Sequence, residues 1–138
     1  MTGHNSVVGG GGFHHISMRV QDLDASIKFY AEGLGFELKF AWGPEDNRTV
    51  LLDTGDGNYL EISGGESEGF NPDGVARHFA FRTSDIVKAT EAARAAGAEI
   101  TVEPKAVVLS SNPPLPVRVA FFKGPDGEVV EFFEDSIT

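Results

Sequence analysis

From Phe13 to Val20 the chain alternates. Ile16, Met18 and Val20 fall on one face, and His15, Ser17 and Arg19 on the other, the mark of a strand buried on one side only. Asp22 or Asp24 follows where a carboxylate can cap a helix, accepting the free backbone N–H groups of its first turn. Ile27, Tyr30, Ala31 and Leu34 then recur at helical spacing, and Gly33 or Gly35 ends the run. Three short strands are expected next, over 36–42, 48–53 and 58–63. Turn residues separate them at Gly43-Pro44-Glu45-Asp46-Asn47 and at Thr54-Gly55-Asp56-Gly57. The first half therefore reads β-α-β-β-β.

The second half repeats that order. A strand is expected over 75–83, then a helix capped by Ser84 or Asp85 with Ile86, Ala89, Ala93 and Ala96 inward. Gly97 stops it. A strand begins at 98–102, and residues 103–116, with four prolines, read as an irregular loop of the length that often serves as a lid. Strands over 117–123 and 128–134 close the half as a hairpin around Gly124-Pro125-Asp126-Gly127. The expected fold class is α+β, two tandem βαβββ modules forming one curved mixed sheet. Residues 1–12, with Gly9 to Gly12, read as a flexible lead-in in which His4 is inert. Residues 13–138 form a single domain, with module one at 13–63, a linker at 64–74 and module two at 75–135.

Composition narrows the function. The 138-residue chain is long enough for one core-bearing domain. A formal net charge of −10 lacks the cationic footprint that nucleic acid or an anionic membrane would need. No apolar run approaches the roughly 20 residues of a membrane span. Residues 1–12 lack the basic start and apolar centre of a secretory signal. Cysteine is absent, so neither disulfides nor thiol chemistry enter, and a cytoplasmic location is expected.

The repeat extends to chemistry. His15 is followed by Arg19 and Asp22, and 63 residues later His78 is followed by Arg82 and Asp85 at the same spacing. The halves close alike, with Asp-Gly-x-x-x-Glu ending in Glu61 and again in Glu131. Parity places Glu61 with Tyr59 and Ser63, and Glu131 with Val129 and Phe133, opposite the apolar pairs Leu60-Ile62 and Val130-Phe132. His15 and His78 likewise oppose Ile16-Met18-Val20 and Phe79-Phe81. If the four strands share one concave surface, two imidazoles and two carboxylates make an N₂O₂ set suited to Zn²⁺, Ni²⁺, Co²⁺, Mn²⁺ or Fe²⁺. One such ion per site, Ni²⁺ or Zn²⁺ foremost, would keep positions open for substrate. His14 has the opposite parity and reads as an edge or core residue. Phe40, Trp42, Phe121 and Lys123 sit on strands beside this surface and are candidates to line a substrate pocket.

The phrases His15-Ile16-Ser17-Met18-Arg19-Val20, Phe29-Tyr30 with Leu34-Gly35-Phe36, Leu60-Glu61-Ile62, His78-Phe79-Ala80-Phe81 and Gly124-Pro125-Asp126-Gly127 up to Glu131 resemble the vicinal oxygen chelate superfamily. Within it they are most similar to glyoxalase I. The resemblance covers Phe13 to Glu134 and implies paired βαβββ modules around a metal, commonly completed in a homodimer. It places the metal ligands at His15, Glu61, His78 and Glu131. The implied reaction shuttles a proton between adjacent carbons of a hemithioacetal formed from a 2-oxoaldehyde and a thiol. Glu131, with Glu61 from the other side, would move the proton, and Arg19 matches a position that binds the thiol cofactor's carboxylate. Glu61 favours glyoxalase I over methylmalonyl-CoA epimerases, which carry Gln there, and over two-His, one-Glu dioxygenases. One stretch departs from the pattern. Glyoxalase I usually carries Asn and then Trp-Gly shortly after the first-module Glu, where this chain has Ile62-Ser63-Gly64-Gly65-Glu66. The alternatives are an acyl-CoA epimerase, a dioxygenase, or a metal-free resistance protein that sequesters a small molecule.

Overall fold

A computed structural model describes residues 4–33, 35–55, 57–65, 74–124 and 127–138. Expectations resting on Leu34, on Asp56, on most of the linker and on Pro125 and Asp126 lie outside these residues.

The chain divides into two compact units, one for each module. The module-one unit takes His15–Arg77 and adds Leu109–Leu115. Its elements are the latter part of β1 (Gly10–Arg19), α1 (Leu23–Ile27), a π-helical turn (Lys28–Gly33), β2 (Glu37–Trp42), a 3₁₀ turn (Glu45–Asn47), β3 (Thr49–Gly55) and β4 (Asn58–Ser63). Asp22 caps α1 by accepting from Ala25 N–H at 3.0 Å, as its position before the apolar stripe predicts. The strand order is β2-β3-β4-β1. β1 runs parallel to β4, with His15 beside Tyr59 and Ser17 beside Glu61, while β3 runs antiparallel to both its neighbours. Val20, Val50, Leu52 and Ile62 form the core, and Met18, Leu23, Ile27, Tyr30 and Phe36 pack on it.

The module-two unit takes the segment through His14, His78–Val108 and Pro116–Thr138. It contains most of β5 (Ala76–Thr83) and β6 (Glu99–Leu109), with α2 (Ile86–Ala95), β7 (Leu115–Lys123) and β8 (Val129–Glu134). The strand order is β5-β8-β7-β6. β5 is parallel to β8, and β7 is antiparallel to β8. Asp85 caps α2 by accepting from Lys88 N–H at 3.1 Å, and Gly97 follows the helix at φ +101°. Ile86, Ala89, Ala120 and Phe132 form this core, with Val8, Phe81, Ala93 and Phe122 against it. Two modules of β-α-β-β-β order, in mixed sheets with one α-helix each, are the expected fold class.

Four details differ from the sequence expectation. Ile16 is 47% exposed, because the cluster beneath α1 reaches Met18 and Val20 and stops short of it. Ala96 is exposed, since α2 ends at Ala95 and leaves Ala96 at its cap, while Thr90 takes a buried place by donating to Ile86 C=O. The irregular stretch expected at 103–116 shrinks to 110–114, because β6 continues through Pro104 to Leu109. Proline is tolerated there because β6 is the last strand in its order, so a missing N–H costs no ladder bond on its outer side. Finally, β1 begins at Gly10, inside the expected lead-in. Residues 6–9 are tied to the β5–α2 junction. Ser84 N–H and Oγ donate to Gly9 C=O, Thr83 Oγ1 to Val8 C=O, and Lys88 Nζ to Ser6 C=O. None of the helices among the described residues is long and apolar enough to cross a membrane.

Candidate functional site: one histidine–glutamate pair in each module

In the module-one unit the parallel pairing of β1 with β4 sets His15, Ser17 and Arg19 beside Tyr59, Glu61 and Ser63. His15 is buried and its Nε2 lies 3.7 Å from Glu61 Oε2. The other carboxylate oxygen, Glu61 Oε1, accepts a hydrogen bond from Ser17 Oγ at 3.0 Å. β3 continues this face: Leu51 lies beside Glu61, and Thr49 Oγ1 is 3.0 Å from Ser63 Oγ. Phe40, opposite Leu51, is buried, and Trp42, opposite Thr49, is half-buried.

Arg19 is half-buried at the end of this row. Its Nη2 and Asn47 Oδ1 close around Gly65, where an added Cβ would lie 3.0 and 2.8 Å from them. A side chain there would displace one or the other, and the φ of +120° independently favours glycine. Gly65 thus makes room for the Arg19 guanidinium, whereas a Cβ at Gly64 would meet the Leu23 side chain at 3.1 Å.

In the module-two unit the pairing of β5 with β8 sets Ala80 beside Glu131 and Arg82 beside Phe133. His78 Nε2 is 2.9 Å from Glu131 Oε2, and Glu131 is only 4% exposed. A carboxylate at that depth needs a partner, because an uncompensated buried charge is costly. Phe121 lies beside Glu131 in the β7–β8 ladder, and its ring meets the His78 imidazole edge to face at 5.5 Å. Lys123, opposite Val129, is exposed at the end of β7.

Each module therefore holds one His–Glu pair within itself. The donor separations of 3.7 and 2.9 Å suit shared coordination. Two adjacent ligands with bonds of about 2.1 Å to one ion stand about 3 Å apart. The structure also supplies what sequence reading passed over. Ser17 was visible there only as a polar residue on the His15 face, and its role follows from the register that puts it beside Glu61. His14 is indeed a core residue: its ring stacks on Phe133 at 3.9 Å, and its Nε2 meets Thr138 Oγ1, which in turn donates to Asp135.

Residues 12–132 match the Glyoxalase/Bleomycin resistance protein/Dioxygenase superfamily, and the chain belongs to it. Among its relatives is a lactoylglutathione lyase of Haemophilus influenzae, 35% identical over 130 residues that span 90% of this chain and 93% of the relative. A protein of Brassica oleracea named putative lactoylglutathione lyase is 33% identical over 136 residues, 88% of this chain, which spans only 44% of that longer protein. Among solved structures, methylmalonyl-CoA epimerase from Mycobacterium tuberculosis superposes with a TM-score of 0.73 at 22% identity, over 96% of this chain and 92% of that one. The Streptomyces coelicolor methylmalonyl-CoA epimerase, solved with 2-nitronate-propionyl-CoA, gives 0.68 at 26% identity, over 90% and 96%. The two βαβββ modules, each a mixed sheet with one α-helix, share their fold with these solved structures.

Proposed function

We propose that the chain is a metal-dependent lyase of the glyoxalase I type, converting a hemithioacetal of a 2-oxoaldehyde and a thiol into a 2-hydroxyacyl thioester. The observation that carries the reading is the repeated His–Glu pair, with a carboxylate in each module. His15, Glu61, His78 and Glu131 would hold one divalent cation, Ni²⁺ or Zn²⁺ foremost, with Co²⁺, Mn²⁺ or Fe²⁺ as the other candidates. Supporting this, each module brings an imidazole and a carboxylate within reach of one another, His15 with Glu61 and His78 with Glu131. When bound, the ion supplies Lewis-acid polarisation of the substrate oxygens.

The chain's own residues do the rest. Glu131 removes the proton from one carbon and returns it to the neighbouring one, a positioned carboxylate acting first as base and then as acid. Glu61 stands ready on the other side. Arg19 takes a carboxylate of the thiol cofactor, and Trp42, Phe121 and Lys123 line the substrate's path. We further propose that the protein works in the cytoplasm as a homodimer.

A second reading, an acyl-CoA epimerase, is supported by the likeness to the Streptomyces coelicolor enzyme. It shares the step of moving a proton at a carbon beside a thioester carbonyl. One assay separates the two. Supplied with Ni²⁺ or Zn²⁺, the protein is expected to form a thioester absorbing in the ultraviolet from methylglyoxal and glutathione, and from another low-molecular-mass thiol if glutathione fails. Turnover of methylmalonyl-CoA with none of any hemithioacetal would transfer the case to the epimerase.

A further inference from the structure

The two His–Glu pairs descend from one repeat but are built differently. Counting from each histidine, Ser17 and Ala80 are the same position, two residues on, and each lies beside its module's glutamate across a parallel strand pair. Ser17 is 4% exposed and donates its hydroxyl to Glu61 Oε1 at 3.0 Å. That leaves Oε2 as the oxygen on the His15 side, 3.7 Å from Nε2. Ala80 is fully buried and offers only a methyl group beside Glu131.

We propose that Ser17 is a positioning residue for metal binding: its hydroxyl pins Glu61 so that Oε2 and His15 Nε2 are presented together as a preformed ligand pair. The inference rests on the metal reading above. A glutamate side chain has three rotatable bonds, and ordering it only when an ion arrives would subtract from the affinity. The hydroxyl does that ordering beforehand and occupies the oxygen not needed at the ion. Module two holds its pair by another means, the direct 2.9 Å contact of His78 with Glu131. Glu61 is thus tethered by a hydroxyl on a neighbouring strand, which suits it to act as a fixed ligand.

The competing account is that Ser17 only satisfies a buried hydroxyl. Calorimetric titration of Ni²⁺ into the whole metal-free chain separates them, with wild type, Ser17→Ala and Ser17→Thr, each also melted without metal. Outer-sphere partners of this kind are commonly worth about 10–100-fold in metal affinity, so Ser17→Ala should bind that much more weakly while its metal-free melting point stays near wild type. Ser17→Thr, which keeps the hydroxyl, should recover most of the loss. Unchanged affinity in Ser17→Ala overturns the proposal. So does an equal loss in both variants accompanied by an equal drop in metal-free melting point, which would mark Ser17 as structural. Failure of wild type to bind Ni²⁺ or Zn²⁺ at all is a different result: it removes the metal reading itself, and this inference with it.

Discussion

Glu131→Gln, assayed with saturating Ni²⁺ or Zn²⁺, is expected to turn over hemithioacetal about 10²–10⁴-fold more slowly than wild type, the usual worth of a positioned acid–base group. The substitution keeps the length and shape of the side chain and its capacity to contact His78, so packing around a residue only 4% exposed is preserved. What is lost is the ability to take up a proton near neutral pH. The loss should fall on kcat more than on KM, because the carboxylate acts on the reacting carbon and contributes little to holding the rest of the substrate. Glu61→Gln should cost less, since in this account its carboxylate is chiefly a ligand. Metal content of both variants must be measured alongside, so that a lost ion is not mistaken for a lost base. Turnover of Glu131→Gln within about threefold of wild type, with metal retained, would place the proton transfer elsewhere.

The second large effect is on stability. Leu52 is fully buried between β2 and β4 and belongs to the cluster with Val20, Val50 and Ile62 beneath α1. Leu52→Ala removes several methyl and methylene groups from a site that α1 and the sheet keep from collapsing. It should cost about 2–5 kcal/mol, the sum of lost transfer energy and the cavity left behind. Urea unfolding followed by far-ultraviolet circular dichroism reads this as a lower midpoint at an unchanged slope. A cost below about 0.5 kcal/mol would mean that the module-one core is not packed as described. The neighbouring Leu51, on the opposite face beside Glu61, makes a useful contrast, because shortening it should also disturb metal binding.

Most of this architecture was legible in the sequence, for a definite physical reason. Strand side chains alternate, so a residue's parity names its face, and the internal repeat tests each assignment twice. His15 and Glu61, and His78 and Glu131, could therefore be placed on common faces before any coordinates. The helix caps were readable too, because Asp22 and Asp85 stand where an orphan N–H needs an acceptor.

What escaped was set by the limits of each element and not by its pattern. Ile16 continues the apolar alternation of Met18 and Val20, yet nothing in the sequence says that α1 is only five residues long and stops covering the strand before reaching it. Pro104 suggested a break, and only the position of β6 at the end of its strand order makes it harmless. The glycine-rich start resembles a flexible leader, but Ser84, Thr83 and Lys88 hold its backbone through carbonyls, which leave no trace in side-chain composition. Ser17 was hidden for the same kind of reason: its partner depends on strand register, and one sequence does not fix register between segments that are 44 residues apart.

If the two pairs together hold one divalent ion, metal content per chain, read by mass spectrometry, will show it. Wild type should be compared with a module-one variant, His15→Ala, and a module-two variant, His78→Ala. About one ion per chain is expected in wild type after loading with Ni²⁺ or Zn²⁺, with loss of that ion in both variants, since each removes one of four ligands. Wild type that takes up no ion, or variants that each keep a full complement, would contradict it and put a metal-free small-molecule-binding protein in its place.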